Sequence, residues 1–94
     1  MNVRIGTRAN RHLVEIARFI HEHDVGASIR VRIRIQETFA ALSAFPHLGR
    51  KGKVAGTREI LVAHLPFIVV YRARQDMVVI LGIYHCAQIR PNRK

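Results

Sequence analysis

Three residues in the second half of the chain are of types that together could carry out acid–base chemistry on a phosphodiester. Arg58 begins one predicted strand, and Tyr84 and His85 end another. Histidine and tyrosine can transfer protons, and arginine can stabilise a phosphate as negative charge builds on it. The same residue types are also common as surface or packing residues. If the three side chains converge, the sequence predicts metal-independent cleavage of an RNA backbone.

A second candidate site is a basic loop rich in glycine, within residues 45–57 and the start of the strand that follows. Arg50, Lys51, Lys53 and Arg58 fall within nine residues, with glycines between them. Glycine lets backbone amides approach a phosphate closely, and the cations would neutralise it. The residue order of a nucleotide-binding P-loop is absent. The loop is therefore either an anion-binding site or a solvated charged segment.

Metal and cofactor chemistry is not expected. Cys86 is the single cysteine, which excludes an internal disulfide and a cysteine-based zinc site. His21 and His23 are two residues apart, so on a helix they would point away from each other. A His-Glu-x-x-His motif is absent. We therefore expect neither a metal ion nor a cofactor.

The whole chain carries a strong positive charge. Its 16 Lys and Arg residues, 13 of them Arg, oppose 6 Asp and Glu and give a net charge of +10. This exceeds the charge of about 2–8 that keeps a small domain soluble, so the excess predicts an anionic partner. No apolar run approaches the ~20 residues of a membrane span, and the first residues lack a signal-peptide core. We therefore expect a cytoplasmic protein without membrane contact.

The elements that would position these residues indicate one α+β domain over residues 1–94. A short strand at Val3 and Ile5 precedes a helix that starts near Thr7 and fades over residues 23–26, where Gly26 is a natural stop. Residues 29–35 alternate as a strand would, but a stretch without Gly or Pro over 27–44 favours a second helix. Residues 59–64, 67–72 and 77–84 indicate strands. Their short connections favour a three-stranded antiparallel meander packed on the helical hairpin.

Both faces of that meander are apolar. The last two strands carry apolar residues at successive positions, whereas a sheet with one wet face should alternate. Two helices can cover only one face. The other face would need a lid from the C-terminal tail, a second copy or a partner chain, and we favour the partner chain.

Several sequence blocks, taken together, resemble the RelE/ParE toxin superfamily. They are residues 49–59 with Gly56-Thr57-Arg58-Glu59, residues 65–72 with Leu-Pro-Phe-Ile-Val-Val-Tyr-Arg, residues 79–81, and His85-x-x-Gln88-x-x-Pro91. The resemblance covers essentially the whole chain, because that superfamily also places two helices before an antiparallel sheet. It implies the toxin of a type II toxin–antitoxin pair.

The resemblance also implies partners and their contact residues. Such toxins are neutralised by a small, often acidic antitoxin that wraps the helices and the sheet, which agrees with the net charge of +10. On this basis we expect antitoxin contacts at Arg30, Arg34, Val69, Tyr71 and Ile80. We expect target contacts at Arg50, Lys51, Lys53, Arg72 and Arg90.

The superfamily has two branches that differ in mechanism. RelE-like members cut messenger RNA on the ribosome, and that branch would make Arg58, Tyr84 and His85 catalytic. ParE-like members inhibit DNA gyrase and lack that set. The second basic residue of the nuclease branch is absent from residues 66–68, and the block at 67–71 is more ParE-like. We favour gyrase inhibition, with ribosome-dependent mRNA cleavage and a non-toxic basic nucleic-acid-binding module as alternatives.

Overall fold

The computed structural model describes residues 1–87, which form one sheet and a pair of helices. The chain order is β1 (Asn2–Ile5), α1 (Thr7–His23), α2 (Val25–Ala44), β2 (Arg50–Lys51), β3 (Arg58–Leu61), β4 (Phe67–Arg74) and β5 (Met77–His85). The predicted α+β layout of a strand, a helical hairpin and an antiparallel meander is therefore confirmed. Arg90 and the ending at Gln88 and Pro91 lie outside the described residues.

The two helices are separated at Asp24. This residue has extended backbone, and its carboxylate accepts the N–H of Ala27 at 3.0 Å, which caps the start of α2. The first helix ends at His23, within the predicted region of residues 23–26, but Gly26 is not its stop, since Gly26 lies inside the first turn of α2. An aspartate cap ends one helix and begins the next here, and a glycine stop is not needed.

The sheet has five strands in the order β1-β5-β4-β3-β2. Strands β3, β4 and β5 form the predicted antiparallel meander. The first strand joins it in parallel, with Val3 opposite Val78, and the two-residue β2 pairs with β3 inside the segment predicted as a loop. The meander is therefore the centre of a larger sheet.

One face of the sheet packs against both helices. The fully buried residues Val69, Tyr71, Val78 and Ile80 point to this face and contact helix residues that include Ala9, Val31, Ile35 and Leu42. A register shift beside Val70 and Tyr71 leaves Leu81 unpaired as a bulge, so Ile83 also reaches the core. The core is aliphatic around the single buried tyrosine.

No helix within residues 1–87 covers the opposite face, which we call the open face. Ile68, Val70 and Val79 lie there and are half-buried by their neighbours in the sheet. The apolar second face inferred from the strand sequences is therefore present only in part, because Arg4, Arg72 and Arg74 also lie on this face. What covers the open face in the cell stays a prediction, and the C-terminal tail offered as one lid lies beyond the described residues.

Candidate functional site

The guanidinium of Arg58 is occupied by backbone contacts. Arg58 lies at the start of β3 opposite Tyr71, and its Nη1 donates hydrogen bonds to the carbonyl oxygens of Gly49 at 2.7 Å and His47 at 3.5 Å. These bonds hold the segment that leads into β2. The side chain is half-buried and acts as a structural clamp at this position.

Tyr84 and His85 lie at the end of β5 and border one cavity of about 610 Å³ between the helices and the sheet. The Tyr84 ring stands edge-on to His12, with 4.9 Å between ring centroids. The His85 ring contacts Phe67, and its Nδ1 accepts the N–H of Ala87 at 3.1 Å. Both residues therefore border the cavity, as does His12, but the register pairs Tyr84 with Ile68 and His85 with Phe67, so their side chains leave the strand on opposite faces.

Arg58 does not join them. The register places Arg58 opposite Tyr71 and His85 opposite Phe67, with β4 between the two strands. Four residues of strand rise and two strand spacings separate their Cα atoms by about 16 Å. Within residues 1–87 the cavity lining contains no arginine or lysine. The arrangement therefore lacks the cation that phosphodiester cleavage by Tyr84 and His85 would need.

The basic loop predicted from its glycines folds as a hairpin around Glu59. This carboxylate is buried, and it accepts hydrogen bonds from Arg50 Nη2 at 3.4 Å and from the backbone N–H of Lys53 at 3.4 Å. Arg50 keeps 76% of its side chain exposed in this ion pair. The buried acid thus fixes the hairpin while its cations stay on the surface.

Two more target-contact residues lie beside this hairpin. Lys51 is exposed and pairs with Arg58 across β2 and β3. Arg72 is half-buried on the open face, and a Cβ added at Gly56 would lie 2.6 Å from its Nη1. Gly56 has a φ of 82°, so glycine is required both for the turn and for the close approach of the guanidinium. The hairpin and β4 together present four predicted cations at one end of the sheet.

The predicted antitoxin contacts divide into exposed and buried residues. Arg30 and Arg34 are exposed on α2, where Arg34 pairs with Glu37 at 3.6 Å. Val69, Tyr71 and Ile80 are 0% exposed, so no partner can touch them without opening the core. Their assignment as antitoxin contacts is wrong, because the face of the sheet on which they lie packs against α1 and α2.

The solvent side of α2 carries an apolar row beside the predicted antitoxin contacts Arg30 and Arg34. Val25, Ile29 and Ile33 follow one another at four-residue spacing and stay 52%, 46% and 46% exposed. We call this row of three apolar residues the hairpin stripe. Arg30 and Arg34 flank it. The alternation of isoleucine and arginine in residues 29–35 indicates such a row, because on a helix it places apolar residues on the solvent side as well as on the core side.

An apolar groove lies beside the stripe, between the two helices and β1. Its volume is about 410 Å³, and its lining includes Ile5, Leu13, Ala17, Arg32, Ile35 and Phe39. Arg32, the misfit of the helical pattern, stands at this groove. The helical hairpin therefore combines an open apolar groove, an exposed apolar row and several arginines.

His12 is a further residue that sequence patterns did not single out. Its Nδ1 accepts the backbone N–H of Ile83 at 3.1 Å, beyond the point where β1 stops pairing with β5. Burial lowers the pKa of His12 from its ordinary value, and the neighbouring Arg11 charge lowers it further, while Glu15 opposes the shift. The neutral ring is therefore the form that the fold uses.

The described residues offer no group of three or more His, Cys, Asp or Glu side chains that could hold a metal ion. Across the same part of the chain, neither helix combines the length and the apolar character needed to cross a membrane.

Comparisons with known proteins agree with one another. Residues 3–90 match the family model described as "ParE toxin of type II toxin-antitoxin system, parDE". "Putative toxin Y4kP" of Sinorhizobium fredii (strain NBRC 101917 / NGR234) is 39% identical over 89 residues, which span 95% of this chain and 92% of that protein. A chain of the solved structure "Chromosomal ParDE TA system from P. aeruginosa" superposes with a TM-score of 0.81. That match covers 90% of this chain and 95% of the other at 20% identity, so it concerns the fold alone.

Proposed function

The chain belongs to the ParE toxin family of type II toxin–antitoxin systems, and we propose that it arrests growth by inhibiting DNA gyrase while its antitoxin is absent. Family membership supports the ParE-like branch. A cytoplasmic location follows from that target.

The geometry of the sheet supports gyrase inhibition over RNA cleavage. An endonuclease on this fold would need Arg58 near Tyr84 and His85. Arg58 instead clamps the carbonyl oxygens of Gly49 and His47, at the far end of the sheet from His85. A toxin that works by binding a protein target needs no such convergence.

A toxin of this class has a cognate antitoxin, and we propose that it docks on the hairpin stripe and the adjoining groove. Val25, Ile29 and Ile33 would bury their exposed apolar surface against an amphipathic segment of the antitoxin. A side chain from that segment would fill the groove at Leu13 and Phe39. Apolar burial would supply most of the affinity.

The charge of this surface favours an acidic partner segment. Arg30 and Arg34 flank the stripe on one side, and Arg32 borders the groove on the other. Glu37 offsets part of this charge through its pair with Arg34. Asp or Glu on both sides of an apolar row in the antitoxin would complement this arrangement and speed association.

Induced expression of the chain in a bacterial host tests the proposed target. We expect growth arrest, gyrase-dependent DNA breaks and intact transcript ends, because Arg58 does not converge with Tyr84 and His85. Break mapping and transcript-end sequencing after induction, with and without coexpressed antitoxin, provide the measurement. New transcript ends without DNA breaks would reject gyrase as the target. Normal growth with soluble, folded protein would reject toxicity itself.

A charge-reversal pair tests the docking surface. Arg30→Glu with Arg34→Glu should weaken antitoxin binding by at least tenfold, since both substitutions place like charge against an acidic segment. Lys51→Glu with Arg74→Glu changes the net charge equally at the far end of the sheet and serves as the matched control. Calorimetric titration of each purified variant with the antitoxin gives the affinities. Equal weakening by both pairs would show that overall charge decides binding, and would reject this surface.

A further inference from the structure

The sheet register aligns arginines on the open face. Arg4 on β1 lies opposite Val79 on β5, and Val79 lies opposite Arg72 on β4. In the adjacent row, Asn2 lies opposite Met77, and Met77 lies opposite Arg74. Residues that pair directly point to the same face of a sheet. Arg4, Arg72 and Arg74 therefore share the face that carries no described helix, and we call this trio the arginine face.

The spacing within the arginine face follows from strand geometry. Arg4 and Arg72 are two strands apart, so their Cα atoms are separated by about 10 Å. Arg72 and Arg74 are two positions apart on β4, a separation of about 7 Å. The trio thus forms a triangle across the end of the sheet, with Val79 and Met77 recessed between its corners.

The three guanidinium groups are not neutralised by the rest of the described chain. Within residues 1–87, no carboxylate forms an ion pair with Arg4, Arg72 or Arg74. Arg4 and Arg74 are exposed, and Arg72 lies against the backbone of Gly56. Arg72 therefore lies beside the hairpin that carries Arg50, whose own charge is paired with Glu59.

This arrangement suits a repeating anion better than a protein surface. Protein interfaces place apolar or aromatic anchors at their centre, and the arginines that are enriched there accompany such anchors. Here the centre is cationic, and the apolar groups between the arginines are half-buried in the sheet. Guanidinium groups match phosphate geometry and bind it strongly. Positive charges spread over a flat face can contact several phosphates of one strand.

We propose that the arginine face binds the phosphodiester backbone of a nucleic acid without reading its bases. Contacts to phosphates alone carry no sequence information, so binding is independent of base sequence and weakens steeply with salt. The proposal goes beyond gyrase inhibition and does not rest on it. It also separates this surface from the hairpin stripe, which lies on the helix side of the sheet.

Anisotropy titrations of the purified full chain with a labelled DNA duplex and with a single-stranded RNA test the proposal. The Arg4→Gln, Arg72→Gln, Arg74→Gln triple variant loses three phosphate contacts. The slope of log affinity against log salt should then become shallower by about 2.7 on duplex DNA and about 2.1 on a single strand. Comparing the two probes decides which nucleic acid is preferred. Arg8→Gln, Arg18→Gln and Arg30→Gln together remove equal charge from the helices and serve as the matched control.

The slopes of the two triple variants decide the outcome. A slope change confined to the arginine-face variant supports the proposal, and an equal change in the control would reject it. Polyglutamate is the third probe. If the chain binds polyglutamate as tightly as DNA, and the arginine-face variant loses affinity for both equally, the surface binds acidic proteins and the proposal is overturned. If the triple variant has a lowered melting temperature, the three single variants replace it. Each should then lower the slope of log affinity against log salt on duplex DNA by about 0.9. Neither gyrase nor antitoxin enters these titrations, so their result is independent of the proposed target.

Discussion

Gly49 is held from two sides by Arg58 and Tyr71, which the sequence had assigned to other roles. Its N–H donates to the Tyr71 hydroxyl at 2.8 Å, and its carbonyl accepts from Arg58 at 2.7 Å. A Cβ at Gly49 would lie 2.7 Å from the Glu59 carbonyl oxygen and 2.9 Å from the Tyr71 hydroxyl, so only glycine fits. Residues expected to cleave RNA or bind antitoxin thus fasten the basic hairpin to the core.

Tyr71→Phe should lower the free energy of unfolding by about 1–3 kcal/mol, because it leaves the Gly49 N–H buried without an acceptor. Urea denaturation followed by circular dichroism measures the change. Tyr84→Phe provides the control, since the Tyr84 hydroxyl lies at a half-buried cavity edge rather than in the core. Equal stabilities for the two variants would contradict the proposed role of Tyr71.

The first helix substitutes for a missing strand along β5. Strand β1 pairs with β5 only as far as Ile5 opposite Ile80, which leaves the later N–H groups of β5 at an edge. His12 reaches this edge from α1 and accepts the N–H of Ile83 through Nδ1. A protonated ring has no acceptor at Nδ1, so this contact needs the neutral histidine.

The His12 contact predicts a loss of stability in mild acid. Because the pKa of His12 is lowered in the folded chain, the unfolded chain binds the proton first as pH falls below about 6.5. The contribution of His12 is complete above that pH and is lost as pH falls towards the lowered pKa. His12→Asn keeps an acceptor oxygen and does not titrate. Melting temperatures from pH 7.5 to 5 should therefore fall less in this variant than in the parent chain, and parallel curves would contradict the assignment.

The whole molecule presents two basic surfaces on opposite sides of one sheet. The helix side carries the hairpin stripe, in which arginines flank exposed apolar residues. The open side carries the arginine face, in which arginines surround recessed apolar residues. The first pattern suits an amphipathic acidic segment, and the second suits a phosphate backbone. One net charge of +10 therefore serves two kinds of anionic partner in our proposals.

The amino-acid sequence alone determined the family and the order of the main helices and strands, and its net charge of +10 predicts anionic partners. Hydrophobic periodicity and turn residues are local, so the helical hairpin and the meander could be predicted from them. The break between the helices was predicted within residues 23–26, but its stop was assigned to Gly26 instead of Asp24, because both residues are local signals for a helix end. The two-residue β2 was missed because so short a strand has no periodicity.

Only the tertiary structure decided which predicted site residues are accessible and which of them meet. In the sequence, nothing distinguishes the buried residues Val69, Tyr71 and Ile80 from Ile68 and Val79, which are equally apolar. The packing of the helices decides which face of the sheet each residue occupies. Arg58 and His85 were predicted to act together, yet the register separates them by two strand spacings and four residues along β4. Arg4 lies in one row with Arg72 only because the first strand pairs in parallel with the last. Strand pairing between distant segments is set by the whole core, and no local pattern in the chain records it.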